Sequence, residues 1–431
     1  MKAYSIAFLA LVAGATCSLP AQKIQVVPAQ AMVDQPASVI VTGLAPGSQV
    51  TIRAELTDGG DHTWTAQGDF AADSAGSIDS SKQAPLNGSY RTVSALGLIW
   101  SMRSKDFNVH AYEPPHNFGP QAIQFHLLVG GTEVSSAQFT QLAIGSDIQR
   151  IRVDGIIHGV LFLPGDTAKH PGILVVGGSE GGYSTRKAAW LASHGYAAFA
   201  LCYFHCTGTP DNLERIPLEY FGQALAWMMK RPEIDPGRLA VMGTSRGGEL
   251  ALQLGSMYSP IKAVVAYVPA NVRHPSCCEG ASQPSWTWHG TPLTYISLAQ
   301  AINLNPNSAD SFRAQIAVEA TNGPILMIGA EDDGIWPSAE MVRAAAQRLR
   351  SNHFSHQVVV LIYPHAGHRA GLPDIQPTWT NGTTQRISGR STEYGGSPEG
   401  NAESTLDATP KVLDFLAASL GEPAQPTEPS H

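Results

Sequence analysis

The stretch VMGTSRGGEL, Val241 to Leu250, places a serine between glycines directly after an apolar run. Gly243-Thr244-Ser245-Arg246-Gly247 fits the pattern G-x-S-x-G. A serine at the tip of a sharp strand-to-helix turn needs small residues two places away on each side. Larger ones would collide, and the strained turn is what pushes the hydroxyl clear of the backbone. The bland alternative is a glycine-rich packing turn. Which reading holds depends on whether the chain also supplies a base and an acid in a workable order.

Working outward, RLAVMG before the turn reads as a buried strand, and a helix should start at Arg246. The same grammar runs through the second half of the chain. PGILVVGG, YAAFALCYF, IKAVVAYVP, PILMIGA and HQVVVLIYP are apolar strand signals. TRKAAWLASHG, LEYFGQALAWMMKRP and SAEMVRAAAQRLRS between them are helical, and a final helix is expected over roughly Leu406 to Leu420. Fully apolar strands alternating with amphipathic helices mean an α/β fold, a mostly parallel sheet with helices on both faces.

A serine hydroxyl needs an adjacent imidazole, itself oriented by a carboxylate. In hydrolases of this architecture the chain order is serine, acid, histidine. PILMIGA ends in EDDGIWPS, which puts Asp332 and Asp333 just past a strand end. Asp333 is favoured because DGIWP resembles a D-x-x-apolar-Pro turn, and Asp332 is the alternative. The next strand ends in HAGHRAG, offering His365 and His368; His368, after glycine, is the expected base. A developing oxyanion needs backbone donors. Arg246, following the serine, should give one amide, and Ser179 or Glu180 in GGSEGG (Gly177–Gly182) the other. STRK, Ser184 to Lys187, fits S-x-x-K but lacks its companion segments and reads as a helix start. No Gly-Lys-Ser/Thr phosphate loop follows GGSEGG, and no cofactor or metal is expected. CYFHC and HPSCC, with His205 and His274 nearby, match no zinc spacing.

From Lys23 to about Gly145 the pattern is different. ASVIVTGL, SQVTIRAEL, HTWTAQGDF and IQFHLLVGG alternate apolar and polar residues between turn signals, as an all-β, immunoglobulin-like sandwich would. The expected division is a signal peptide over 1–21, a sandwich over 22–145, a catalytic domain over 146–421 and a disordered tail over 422–431. Lys2 followed by AYSIAFLALVAGA has secretory character, with cleavage expected between Cys17 and Ala21. Export to a periplasm or out of the cell is therefore expected, with a lipid-modified Cys17 the minor alternative. Cys202, Cys206, Cys277 and Cys278 then remain, allowing three disulfide pairings; a bridge between the 202/206 pair and the 277/278 pair would tie two loops. NGS at Asn87 and NGT at Asn381 are glycosylation sequons, meaningful only in a eukaryotic secretory pathway. The 431 residues are 43% hydrophobic with formal charge −8, so no basic field exists to hold nucleic acid. A small-molecule substrate is the expected partner, with no stable membrane insertion after leader removal. The aromatic-rich NVRHPSCCEGASQPSWTWHGTPLTYISLAQAINL reads as a lid or specificity segment over the strand ends.

Over roughly residues 25 to 420 the chain resembles the acyl-CoA thioesterase/bile acid-CoA:amino acid N-acyltransferase family. The resemblance is carried by VTGLAPGSQVTIRAEL and NGSYRTVSALGLIWSM in the first half. In the second it is carried by GGSEGGYSTRKAAWLASHGYAAFALCYF, PLEYFGQALAW, GTSRGGELAL, GAEDDGIW and YPHAGH. It implies an α/β-hydrolase domain behind a β-sandwich, with Ser245, Asp333 and His368 as the triad. Amidating members of the family carry cysteine as nucleophile and thioesterases carry serine, so Ser245 implies hydrolysis of acyl thioesters over amino-acid conjugation. The leader and the RHPSCCEGASQPSWTWHG segment depart from the family pattern, and an exported protein would meet little acyl-CoA. An exported carboxylesterase acting on a non-CoA ester, or an N-acyltransferase, is the alternative.

Overall fold

The computed structural model describes residues 21–106, 108–109, 111–277, 282–297, 309–377, 383–384 and 391–423. The leader (its last residue, Ala21, excepted), Cys278, Asn381 of the second sequon and most of the tail lie outside them. Two sheets build the first half. One pairs Lys23–Val27, Ser38–Thr42 and Ile78–Asp79. The other runs through Gln30–Met32, Thr132–Leu142, Gln121–Val129, Gln49–Thr57, Thr63–Ala71 and Asn87–Gly88. Strict alternation along Gln49–Thr57 sends Val50, Ile52, Ala54 and Leu56 inward. They meet Val39, Val41 and Ile24 from the facing sheet, which closes a sandwich core.

Eight strands form the sheet of the second half: β1 (Gln149–Val153), β2 (His158–Leu163), β3 (His170–Val176), β4 (Ala197–Cys202), β5 (Ile234–Thr244), β6 (Ile261–Tyr267), β7 (Ile325–Ala330) and β8 (Val358–Tyr363). Their spatial order is β1-β2-β4-β3-β5-β6-β7-β8. β2 pairs antiparallel with β1 and β4, and every later pair is parallel. Every residue of β3, β4 and β7 is buried, because helices cover both faces. On one face lie α2 (Glu219–Met229), α3 (Arg246–Met257) and α5 (Ser338–Ser351), with α4 (Ala309–Ala314) between the last two in sequence. On the other lie α1 (Thr185–Ser193) and α6 (Pro398–Leu420). The fold is the α/β-hydrolase sheet behind a β-sandwich that the sequence led us to expect.

The last helix corrects one expectation, since it begins at Pro398 instead of Leu406. Gly, Ser and Pro before the apolar stripe read as loop, yet Ser397 caps the helix by accepting from the Gly400 amide at 2.9 Å, with proline in the first turn. The added turns carry Ala402 into the sandwich core while Phe415 and Leu416 sit on the parallel sheet. Ile375 joins the sandwich core as well, its amide donating to the Val33 carbonyl at 2.9 Å. The halves therefore share buried apolar surface.

The cysteine expectation is also corrected. Cys202 and Cys206 bridge to each other, and Cys277 is a half-buried thiol directed at the Ser179 carbonyl. The chain turns back at the end of β4, bringing the two α-carbons to 6.5 Å, within bridging range. No helix among the described residues is long and apolar enough to cross a membrane.

The described part of the aromatic segment, residues 271–277 and 282–297, packs beside the C-terminal ends of the strands. Trp286–Trp288 pairs with Ile216–Pro217 and with Thr291–Pro292. A buried ion pair on α3 pins it: the Arg246 guanidinium donates to Glu249, to the His274 and Pro275 carbonyls and to Ser285. Trp286 Nε1 donates to the other Glu249 oxygen at 2.8 Å. Burial pushes the Glu249 carboxyl up, and the arginine works against that shift. Removing one partner strands a charge away from water, so Glu249→Leu should cost about 3 kcal/mol of stability, read as the urea midpoint. Arg246→Met with Glu249→Leu should recover most of that loss. A double variant as weak as the single would show that the pair is not what holds the segment.

Candidate active site

The turn after β5 is built by backbone crowding. A Cβ on Gly243 would lie 1.9 Å from the Gly247 carbonyl oxygen, and one on Gly247 would lie 2.4 Å from that of Gly177. Only glycine lets the strand end, the helix start and the loop after β3 come this close. Between them Ser245 takes φ 58° and ψ −122°, a left-handed conformation that L side chains seldom adopt. Its amide donates to the Tyr267 carbonyl at the end of β6, at 2.9 Å, which holds the strained residue to the sheet.

The strand ends of β7 and β8 deliver the partners. His368 Nε2 lies 2.8 Å from Ser245 Oγ, and Nδ1 lies 2.9 Å from both oxygens of Asp333. A carboxylate oxygen only accepts, so Nδ1 carries the hydrogen and Nε2 presents its lone pair to the serine hydroxyl. Asp333 Oδ1 also accepts from the Ile335 and Trp336 amides at 2.9 and 3.3 Å, which fixes the carboxylate's orientation. The Asp333 and His368 side chains are only 0% and 7% exposed, so water competes little for these bonds.

Asp332 and His365 are turned away. They face each other at 3.4 Å on the surface, with side chains 54% and 78% exposed. Of the two acids and two histidines the sequence offers, the structure brings Asp333 and His368 to the serine.

The loop Gly177–Gly182 joins β3 to α1, and Ser179 and Glu180 line the same cleft as Ser245 and His368, a space of about 530 Å³. Arg246 is the first residue of α3, where an amide has no acceptor within its own helix. The three expected oxyanion residues therefore flank the serine from two sides.

Other neighbours of the site were not foreseen. The strip Glu393–Gly396 stitches both loops together: the Tyr394 carbonyl accepts from the His368 amide at 2.7 Å and from Gly334 at 3.1 Å, while the Gly396 amide donates to Asp332 at 3.0 Å. A Cβ on Gly395 would lie 2.0 Å from the Asp332 carbonyl oxygen. Trp336 packs edge-on against the His368 ring, with centroids 5.4 Å apart, and is anchored through Nε1 to the Val268 carbonyl. The pair of glycines after Tyr394 was the one local signal for the strip. Lys187, passed over as part of a helix start, lines the cleft and donates to Thr244, the residue before the serine.

Residues 34–155 match the family described as acyl-CoA thioester hydrolase/BAAT N-terminal region, and residues 216–422 match BAAT/acyl-CoA thioester hydrolase C terminal. Acyl-coenzyme A thioesterase 6 of Mus musculus is 29% identical over 402 residues, covering 90% of this chain and 94% of that protein. The mitochondrial acyl-coenzyme A thioesterase 2 of Rattus norvegicus is 28% identical over 396 residues, covering 90% and 87%. Among solved structures, a dienelactone hydrolase-like promiscuous phosphotriesterase from metagenomic libraries aligns over 64% of this chain and 100% of that one, at 17% identity and a TM-score of 0.40. With both halves matched in order, the chain belongs to the acyl-CoA thioester hydrolase/bile acid-CoA:amino acid N-acyltransferase family.

Proposed function

We propose that the protein hydrolyses acyl thioesters through a covalent acyl-serine intermediate, with Ser245 as nucleophile, His368 as base and Asp333 as the group that orients it. The observation that carries this reading is the unbroken hydrogen-bonded series from Ser245 Oγ through the imidazole to a carboxylate, at 2.8 and 2.9 Å. Ser245 Oγ attacks the acyl carbonyl as Nε2 takes its proton, and the imidazolium formed is stabilised by Asp333. The amides of Arg246 and of Ser179 or Glu180 receive the oxyanion. The imidazolium then protonates the departing thiolate. Water, deprotonated by the same nitrogen, attacks the acyl-serine and restores the hydroxyl. Both curated relatives described above are named acyl-coenzyme A thioesterases, which supports the thioester as substrate. A serine nucleophile also supports hydrolysis over transfer to an amine.

A second reading has its own support. The Cys202–Cys206 bridge suits an oxidising compartment, as does the apolar leader, and there an oxygen ester would replace acyl-CoA. The same residues would perform that reaction with an alcohol leaving in place of the thiol.

Ser245→Ala should abolish turnover and fluorophosphonate labelling together; activity retained in a clean preparation would end the proposal. Asp333→Asn should lower kcat by about a thousandfold or more through loss of the imidazole's orientation. Asp332→Asn, on the exposed pair, should stay within about twofold of the parent. A panel of thioesters and aryl esters of matched chain length separates the two substrate readings: a kcat/KM higher for acyl-CoA supports the thioesterase, and a higher value for the ester supports the exported carboxylesterase.

A further inference from the structure

We propose that Lys187 is a positioning residue, one that ties the two halves of the oxyanion site together and holds a positive charge against the nucleophile turn. This rests on the reading of Ser245 as nucleophile. Lys187 stands in the first turn of α1, immediately after the loop that carries Ser179 and Glu180. Its ammonium donates to Thr244 Oγ1, one residue before Ser245, and lies 4.8 Å from the centroid of the Tyr267 ring. One side chain therefore spans from the loop bearing one proposed amide donor to the turn bearing the other. Tyr267 is also the residue whose carbonyl holds the Ser245 amide.

A role in helix stability does not account for this lysine. A cation in the first turn opposes the helix dipole. Among the described residues no carboxylate lies within 4.0 Å of its nitrogen, so no direct ion pair offsets that cost. The charges that face it are Glu180 from the preceding loop and Asp374 and Arg369 from the chain after β8, with the Tyr267 phenol ring beneath. Burial is the largest influence and brings its pKa down to about 8; Glu180 and Asp374 work against the shift and Arg369 adds to it. The group is an ammonium below that value and a neutral amine above it. Its charge beside the turn is thus lost as the pH rises through 8, while the hydrogen bond to Thr244 can persist. A partly buried cation kept in the cleft at the wrong end of a helix points to a functional position.

The experiment compares Lys187→Met, Lys187→Arg and Thr244→Val with the parent. It reads kcat and KM on an aryl ester, the pH-rate profile, and the rate at which a fluorophosphonate labels Ser245. Lys187→Met should lower kcat and the labelling rate by about thirtyfold, with KM within about twofold. The parent should lose activity above pH 8, Lys187→Met should show no such limb, and Lys187→Arg, charged throughout, should keep its activity there. Thr244→Val removes the acceptor and leaves the lysine, so it gives the answer where Lys187→Met fails to fold. Thr244→Val should itself lower kcat, and the combination with Lys187→Met should be no worse than Lys187→Met alone, because Lys187→Met already breaks the contact that Thr244→Val removes. Parent-like kcat and labelling in Lys187→Met, an alkaline limb unchanged in Lys187→Arg, or additive losses in the double variant would overturn the inference. Turnover surviving in Ser245→Ala would instead overturn the nucleophile reading, so the two failures are distinct.

Discussion

The close approach of three backbone segments at the end of β5 is the constraint on which the site depends. Gly243, Gly247 and the carbonyls of Val176 and Gly177 come so near that no side chain fits among them. That crowding holds Ser245 in a left-handed conformation of high energy, which persists because the Tyr267 carbonyl and the first turn of α3 determine it from both sides. It also sets the loop after β3 against the helix that starts at Arg246, so the expected donors of the oxyanion site are positioned by the same contacts that position the hydroxyl.

The acid and the base are held by a different device. Each sits on a loop beyond the end of its own strand, and such loops alone would not hold a 2.9 Å contact. The strip Glu393–Gly396 bonds to both loops, and α6 follows it directly into the shared core. The final helix, buried against the sandwich through Ala402 and against the sheet through Phe415, therefore braces the strip that registers His368 with Asp333. The sandwich, which among the described residues contributes none to the cleft around Ser245, still bears on it through this anchorage.

Much of this was legible in the chain. Period-two alternation in Gln49–Thr57 and the unbroken apolar runs of β3, β4 and β7 followed from where the side chains must go, so the two kinds of sheet could be told apart directly. The acid was narrowed to Asp332 or Asp333, with Asp333 favoured by its turn, and the base to His365 or His368, with His368 expected after its glycine, because strand ends are where such groups belong. Neighbouring candidates on one loop differ only in which way the loop turns, and both turns are held by the Tyr394 strip, far along the chain from Asp332 and from His368. The start of α6 was misjudged because Ser397-Pro398 is a capping signal that resembles a loop until the helix behind it is known. The cysteine pairing eluded the sequence since spacing does not reveal which way the chain bends after β4.

By itself the sequence determined the two architectures, the order of serine, acid and histidine, and the glycines that permit the turn, because local patterning and steric need act within a few residues. Tertiary structure alone decided the distances at which Ser245, His368 and Asp333 meet, which cysteines bridge, and that Lys187 reaches the nucleophile turn. Those outcomes come from contacts between segments far apart in the chain, whose distances and directions are set only when the sheet, its loops and the last helix pack together.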